Sequence, residues 1–118
     1  MSGYRLTVRH GSRVQRERFD DLDEALAALE RACEGVREQG PLSEVKMLRD
    51  FEPGERVAAR VELSTGGMLR GRDAGIDVMG DGALVAYAGG IRRETLEPGA
   101  GESHYDAVRR ALEGGGER

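Results

Sequence analysis

The stretch YRLTVRHGSRVQRERF, residues 4–19, followed by DLDEALAALERACEGVREQG, residues 21–40, decides the fold, because its apolar period changes part-way. Tyr4, Leu6 and Val8 alternate with Arg5, Thr7 and Arg9, the period of two expected of a half-buried strand. His10-Gly11-Ser12 supplies a turn, and Val14 to Phe19 returns as a shorter, more polar strand, so residues 4–19 read as a hairpin. From Asp21 the period becomes helical. Asp21 and Glu24 have the spacing of a capping box. Leu22, Ala25, Leu26, Leu29, Ala32, Cys33 and Val36 then fall on one stripe, with Glu24, Glu30, Arg31, Glu34, Arg37 and Glu38 off it. Gly40-Pro41 is a stop signal, which gives a helix over 22–39.

The rest of the chain returns to strand patterns. Residues 42–51 are ambiguous: Val45, Met47 and Leu48 suit a short strand or a helical turn. Pro53-Gly54 makes a turn, and Val57, Ala59, Val61 and Leu63 alternate with Arg56, Ala58, Arg60 and Glu62 in an amphipathic strand that Ser64-Thr65-Gly66-Gly67 ends. Ile76 to Met79 and Ala83 to Ala88 flank Gly80-Asp81-Gly82, an Asp-Gly hairpin signal suited to a type I′ turn. Gly89-Gly90 turns again before Ile91 to Leu96, and Pro98 to Gly101 is a loop. Ser103 and Asp106 cap a second helix with the stripe Tyr105, Val108, Ala111 and Leu112. The expected fold is α+β, a single domain over 1–113: ββα, then three or four mostly antiparallel strands and a C-terminal helix. Residues 114–118, GGGER, read as a frayed tail.

Composition narrows the function classes. The chain has 118 residues, of which 38% are hydrophobic, and it contains no Trp. A domain this size buries roughly two-thirds of its unfolded surface, enough for one lean core and too little for two. Dimerisation would add stability to such a core. Lys46 is the lone Lys and Asn is absent, so the Arg content reads as the coding bias of a GC-rich bacterial genome. A net charge of -4 argues against a domain that coats nucleic acid with its whole surface. Cys33 is alone, which excludes an internal disulfide. No apolar run is long enough for a secretory signal or a membrane span, and a cytoplasmic address is the expectation.

The first candidate site is the hairpin. Arg5, Arg9, Arg13, Arg16 and Arg18 crowd the first 18 residues, with Glu17 the only acid among them. Arg5 and Arg9 share one face of their strand, opposite Tyr4, Leu6 and Val8. A two-stranded ribbon carrying Arg can enter a major groove and read guanine edges. The strand-turn-strand-Phe-helix order, with Gly11 in the turn, Phe19 closing the second strand and Glu24-Ala25 starting the helix, resembles the small DNA-binding arm domains of phage-type integrases. That resemblance implies DNA binding by the hairpin. It covers only the hairpin and the start of the helix, and the rest of the chain departs from it.

Other constellations fail on spacing. His10 and His104 belong to no metal motif, and Cys33 lies on the apolar helix stripe instead of an exposed basic site. Asp73, Asp77 and Asp81 recur every fourth residue, unlike a calcium loop. The Gly66 to Arg72 segment has Arg where a phosphate loop has Lys, and Gly80 to Gly82 lacks a third glycine. No cofactor, metal or membrane partner is therefore expected. A second candidate is the Gly- and Ala-rich strand set from Met68 to Leu96, whose Met68, Met79, Tyr87 and Ile91 would form a protein interface. The leading expectation is a non-enzymatic binding or accessory module acting through a protein interface, as a homodimer or with another protein. Its alternative is nucleic-acid binding by the Arg-rich hairpin.

Overall fold

Period-two alternation and a two-residue loop build the first hairpin as expected. The computed structural model describes residues 3–39, 57–65, 72–89 and 93–113. Strand β1 (Tyr4–His10) pairs antiparallel with β2 (Arg13–Phe19), Tyr4 opposite Phe19 and His10 opposite Arg13. Gly11 takes φ +65, the left-handed region a tight loop demands. Helix α1 (Leu22–Glu38) follows, with the Asp21 side chain accepting from the Glu24 N–H at 3.3 Å. Then come β3 (Val57–Thr65), β4 (Asp73–Met79), β5 (Leu84–Ala88), β6 (Glu94–Leu96) and α2 (His104–Leu112). Both arms of the capping box at Ser103 and Asp106 are closed, at 3.0 Å each. The α+β reading holds.

The six strands form one antiparallel sheet in the order β2-β1-β3-β4-β5-β6. Long β3 is the hub: its Leu63 and Val61 face Leu6 and Val8 of β1 on one side and Ala74 and Ile76 of β4 on the other. These inward residues, with Ala25, Leu29, Cys33, Ala107 and Val108 of the helices, form the core. Ala28 and Ala107 join it from outside the sequence stripes, because a helix lying flat on a sheet buries a wider arc than one seam. Tyr105 Oη donates to Glu34 Oε2 at 2.5 Å, and Arg109 bridges to Asp23 at 2.5 Å, tying the helices together above the sheet.

One turn and one strand boundary refine the sequence reading. The β4–β5 hairpin forms at Gly80-Asp81-Gly82, but as a three-residue loop in place of a type I′ turn. Gly82 N–H donates to Met79 O at 2.9 Å, Gly82 takes φ +93, and Asp81 Oδ1 accepts from Ala83 N–H at 2.9 Å. The Asp side chain thus supports a turn-plus-bulge loop, which needs positive φ only at its last residue. Strand β4 also begins earlier than Ile76, at Asp73. The readings of Gly40-Pro41, residues 42–51, Pro53-Gly54, Gly66-Gly67, Gly90, residues 91–92 and the 114–118 tail lie outside the described residues.

Helix coverage sets which surfaces stay open. Helix α1 packs on β1 and β3, and α2 on β4 and β5. Outer strands of a six-stranded sheet lie about 24 Å apart, whereas each helix is about 10 Å wide. One side of the sheet is therefore covered over about four strands. Every β2 residue is exposed except half-buried Phe19.

One glycine is fixed by packing. Gly75 sits directly opposite Tyr87, and a Cβ there would strike the Val61 carbonyl and lie 2.8 Å from both Glu62 Cα and Tyr87 Oη. The β3 backbone and the Tyr87 hydroxyl occupy that space. Gly75→Ala should destabilise the fold by about 2 kcal/mol, the usual scale of overpacking, read as a lower chemical-denaturation midpoint. An unchanged midpoint would contradict the close approach.

Candidate functional site

Register alone assigns the residues that line the sheet face away from the helices. Arg18, Arg5, Ser64 and Asp73 form one cross-strand row; Arg16, Thr7, Glu62, Gly75, Tyr87 and Thr95 the next; Val14, Arg9, Arg60, Asp77 and Val85 the third. The face is divided by charge. Arg5, Arg9, Arg16 and Arg18 gather on β1 and β2, while Glu62, Asp73 and Asp77 sit on β3 and β4.

Of the five hairpin arginines, four share this face. Arg13 does not: it opposes His10, whose neighbours Leu6 and Val8 point to the helices, so Arg13 lies on the helix side near Arg31. All five are exposed, and none forms an ion pair among the described residues. Arg9 stands directly opposite Arg60, a like-charge juxtaposition that is unfavourable by itself. Arg60 is turned to the other side, where its guanidinium grips Asp77 through Nε–Oδ1 at 2.7 Å and Nη2–Oδ2 at 3.2 Å. That fork leaves Arg9 as the free cation of the two.

The second candidate set is placed differently. Tyr87 is on the same face but only 3% exposed, contrary to the exposure expected of it. Its hydroxyl crowds Gly75, and its ring is flanked by the guanidinium carbons of Arg93 at 4.4 Å and Arg60 at 5.8 Å. Met79 is half-buried at the end of β4. Met68 and Ile91 lie outside the described residues. Of this set the structure therefore describes Tyr87 and Met79, and Val14 and Val57 are the exposed large apolar side chains among the described residues.

Burial shapes the centre of the face. It raises the Glu62 carboxyl above its usual range, with Asp73 adding repulsion, while the charges of Arg93 and Arg60 pull it back. Tyr87 Oη is buried without a hydrogen-bond partner among the described residues. Away from this face, Cys33 is fully buried and its thiol is pushed up to about 12 by burial, so it packs as an apolar residue. Among the described residues no three His, Cys, Asp or Glu side chains gather as a metal site. No helix of the described residues is long and apolar enough to cross a membrane. Comparisons with protein-family models, curated proteins and solved structures found no match to this chain.

The missed features of the face are Gly75, Glu62, Arg93 and the Arg60–Asp77 fork. Alternation put Arg60 and Glu62 on the polar side of their strand, but their partners depend on strand order, which no spacing reveals.

Two variants test this picture. Tyr87→Phe removes a buried hydroxyl that has no partner and should stabilise the protein by about 1 kcal/mol; a loss of that size would mean the hydroxyl is bonded. Glu62 has a raised folded pKa, so its contribution is most favourable below the unfolded value of 4.5 and is lost as pH rises through the folded one. Glu62→Gln should therefore gain stability relative to wild type at pH 7, with the difference vanishing near pH 4. A variant less stable at pH 7 would show the carboxylate to be held by its neighbours.

Proposed function

We propose that this chain is a non-enzymatic binding module that engages an acidic protein partner through the β1–β2 corner of its sheet. One observation carries the reading: Arg5, Arg9, Arg16 and Arg18 share an uncovered face and have no acid partner among the described residues. Four unneutralised guanidiniums on a rigid strand pair form a preorganised carboxylate-binding surface.

The same arginines favour a second reading, contact with a nucleic-acid backbone. Two features rank it below the first. A free two-stranded ribbon fits the major groove, about 12 Å wide, but here β1 is hydrogen-bonded to β3 as well, within a sheet about 24 Å across. A backbone crossing the face beyond β1 meets Glu62, Asp73 and Asp77.

Titration calorimetry against poly-L-glutamate and against mixed-sequence duplex DNA separates the readings. The wild type should bind poly-L-glutamate, and the Arg5→Ala/Arg9→Ala/Arg16→Ala/Arg18→Ala variant should lose roughly thirtyfold in affinity, from four exposed charge contacts at about 0.5 kcal/mol each. Tighter binding to duplex DNA, falling steeply between about 50 and about 200 mM salt, would favour the nucleic-acid reading. Binding to neither at low salt would sink both.

A further inference from the structure

We propose that the outer edge of β2, with the groove behind it, takes an extended acidic segment of the partner protein as a seventh strand. This deepens the acidic-partner reading and rests on it. The argument begins with hydrogen-bond alternation. A two-residue loop makes His10 and Arg13 a hydrogen-bonded pair, so by alternation Val8·Gln15, Leu6·Glu17 and Tyr4·Phe19 are bonded pairs too. The N–H and C=O groups of Val14, Arg16 and Arg18 therefore point outward, away from β1. Among the described residues no strand lies on that side.

The space beside this edge is shaped. Helix α1 sits over β1 and β3, so a cleft opens between α1 and the helix side of β2. One part, about 460 Å³, is floored by Leu6, Val8, Ala28 and Ala32; an adjoining part of about 260 Å³ shares Val8, Gln15, Arg31 and Ala32 with it and reaches Arg13. A strand added beside β2 would point alternate side chains into this cleft and the others onto the open face.

Charge selects the occupant. On the open face the added strand lies beside Arg16 and Arg18, and on the cleft side it meets Arg13 and Arg31 around an apolar floor, with Glu17 the opposing charge on β2. The complement is an alternating acidic and small apolar sequence. A second copy fits poorly: the fully overlapped antiparallel pairing of two β2 strands is centred on Arg16 and sets Arg16 against Arg16. Val14 adds a small exposed apolar contact on the open side.

The test uses the full chain and the capped peptide Glu-Val-Glu-Val-Glu-Val, with its alternately N-methylated form and a Lys-Val counterpart as controls. Expected are binding of the acidic peptide, at least about tenfold weaker binding of the N-methylated form, whose charge is unchanged, and none of the Lys-Val peptide. Val14→Pro removes one outward N–H while sparing the arginines and the β1 ladder, and should weaken the peptide by a similar factor. Because Val14→Pro could unfold the edge, the N-methylated peptide on the wild-type chain is the deciding arm. Equal binding of both acidic peptides, with loss in the four-arginine variant, overturns strand addition and leaves the acidic-partner reading standing. No binding of either acidic peptide or of poly-L-glutamate overturns both. A concentration-dependent dimer that excludes the peptide overturns the proposal in favour of a second copy.

Discussion

A mismatch of widths organises this molecule. Six strands span about 24 Å, and two helices of about 10 Å each cannot roof that span. Helix α1 is held over β1 and β3 by Ala25, Leu29 and Cys33, and α2 over β4 and β5 by Ala107 and Val108. Strand β2 is left beyond the roof. Its exposure, its outward backbone groups and the cleft beneath α1 all follow from that placement. An edge of this kind invites pairing, and charge is the usual guard against it. Arg13, Arg16 and Arg18 repel a like strand and leave a complementary one as the fitting partner.

The opposite half of the open face is closed on itself. Gly75 has no room for a side chain because the β3 backbone at Val61 and Glu62 and the Tyr87 hydroxyl crowd it, and Tyr87 is flanked by Arg60 and Arg93. Arg60 is held by Asp77. These contacts pack the centre of β3 to β5 around the Arg60–Asp77 ion pair, with Glu62 and Asp73 as its acids without an ion-pair partner among the described residues. The β1–β2 half has four arginines with no acid partner among the described residues, and the asymmetry of the face points binding toward that side.

Much of the fold was legible in the sequence. The hairpin, α1, the amphipathic β3, the Asp-Gly hairpin and the Ser103 cap each rest on short-range signals: alternation, helical period, or a side chain bonding within three residues. What was hidden depends on neighbours distant in sequence. The position of β1 between β2 and β3 puts Arg9 against Arg60 and Thr7 against Glu62, and no local pattern contains that information. Tyr87 looked exposed because its strand is short and rich in small residues; its burial comes from Gly75 on the adjacent strand. Arg13 looked like a member of the arginine set until the parity of the loop sent it to the helix side. The turn at Gly80 to Gly82 showed its glycines in sequence, but the Asp81–Ala83 bond that selects its geometry did not show.

The central claim is that β2 is an open edge whose outward groups belong to Val14, Arg16 and Arg18. Residue-resolved amide hydrogen exchange of the free protein tests it most directly. The account predicts alternation along β2: fast exchange at Val14, Arg16 and Arg18, and protection at Arg13, Gln15, Glu17 and Phe19. Uniform protection along the strand, or protection at Val14, Arg16 and Arg18, would contradict it.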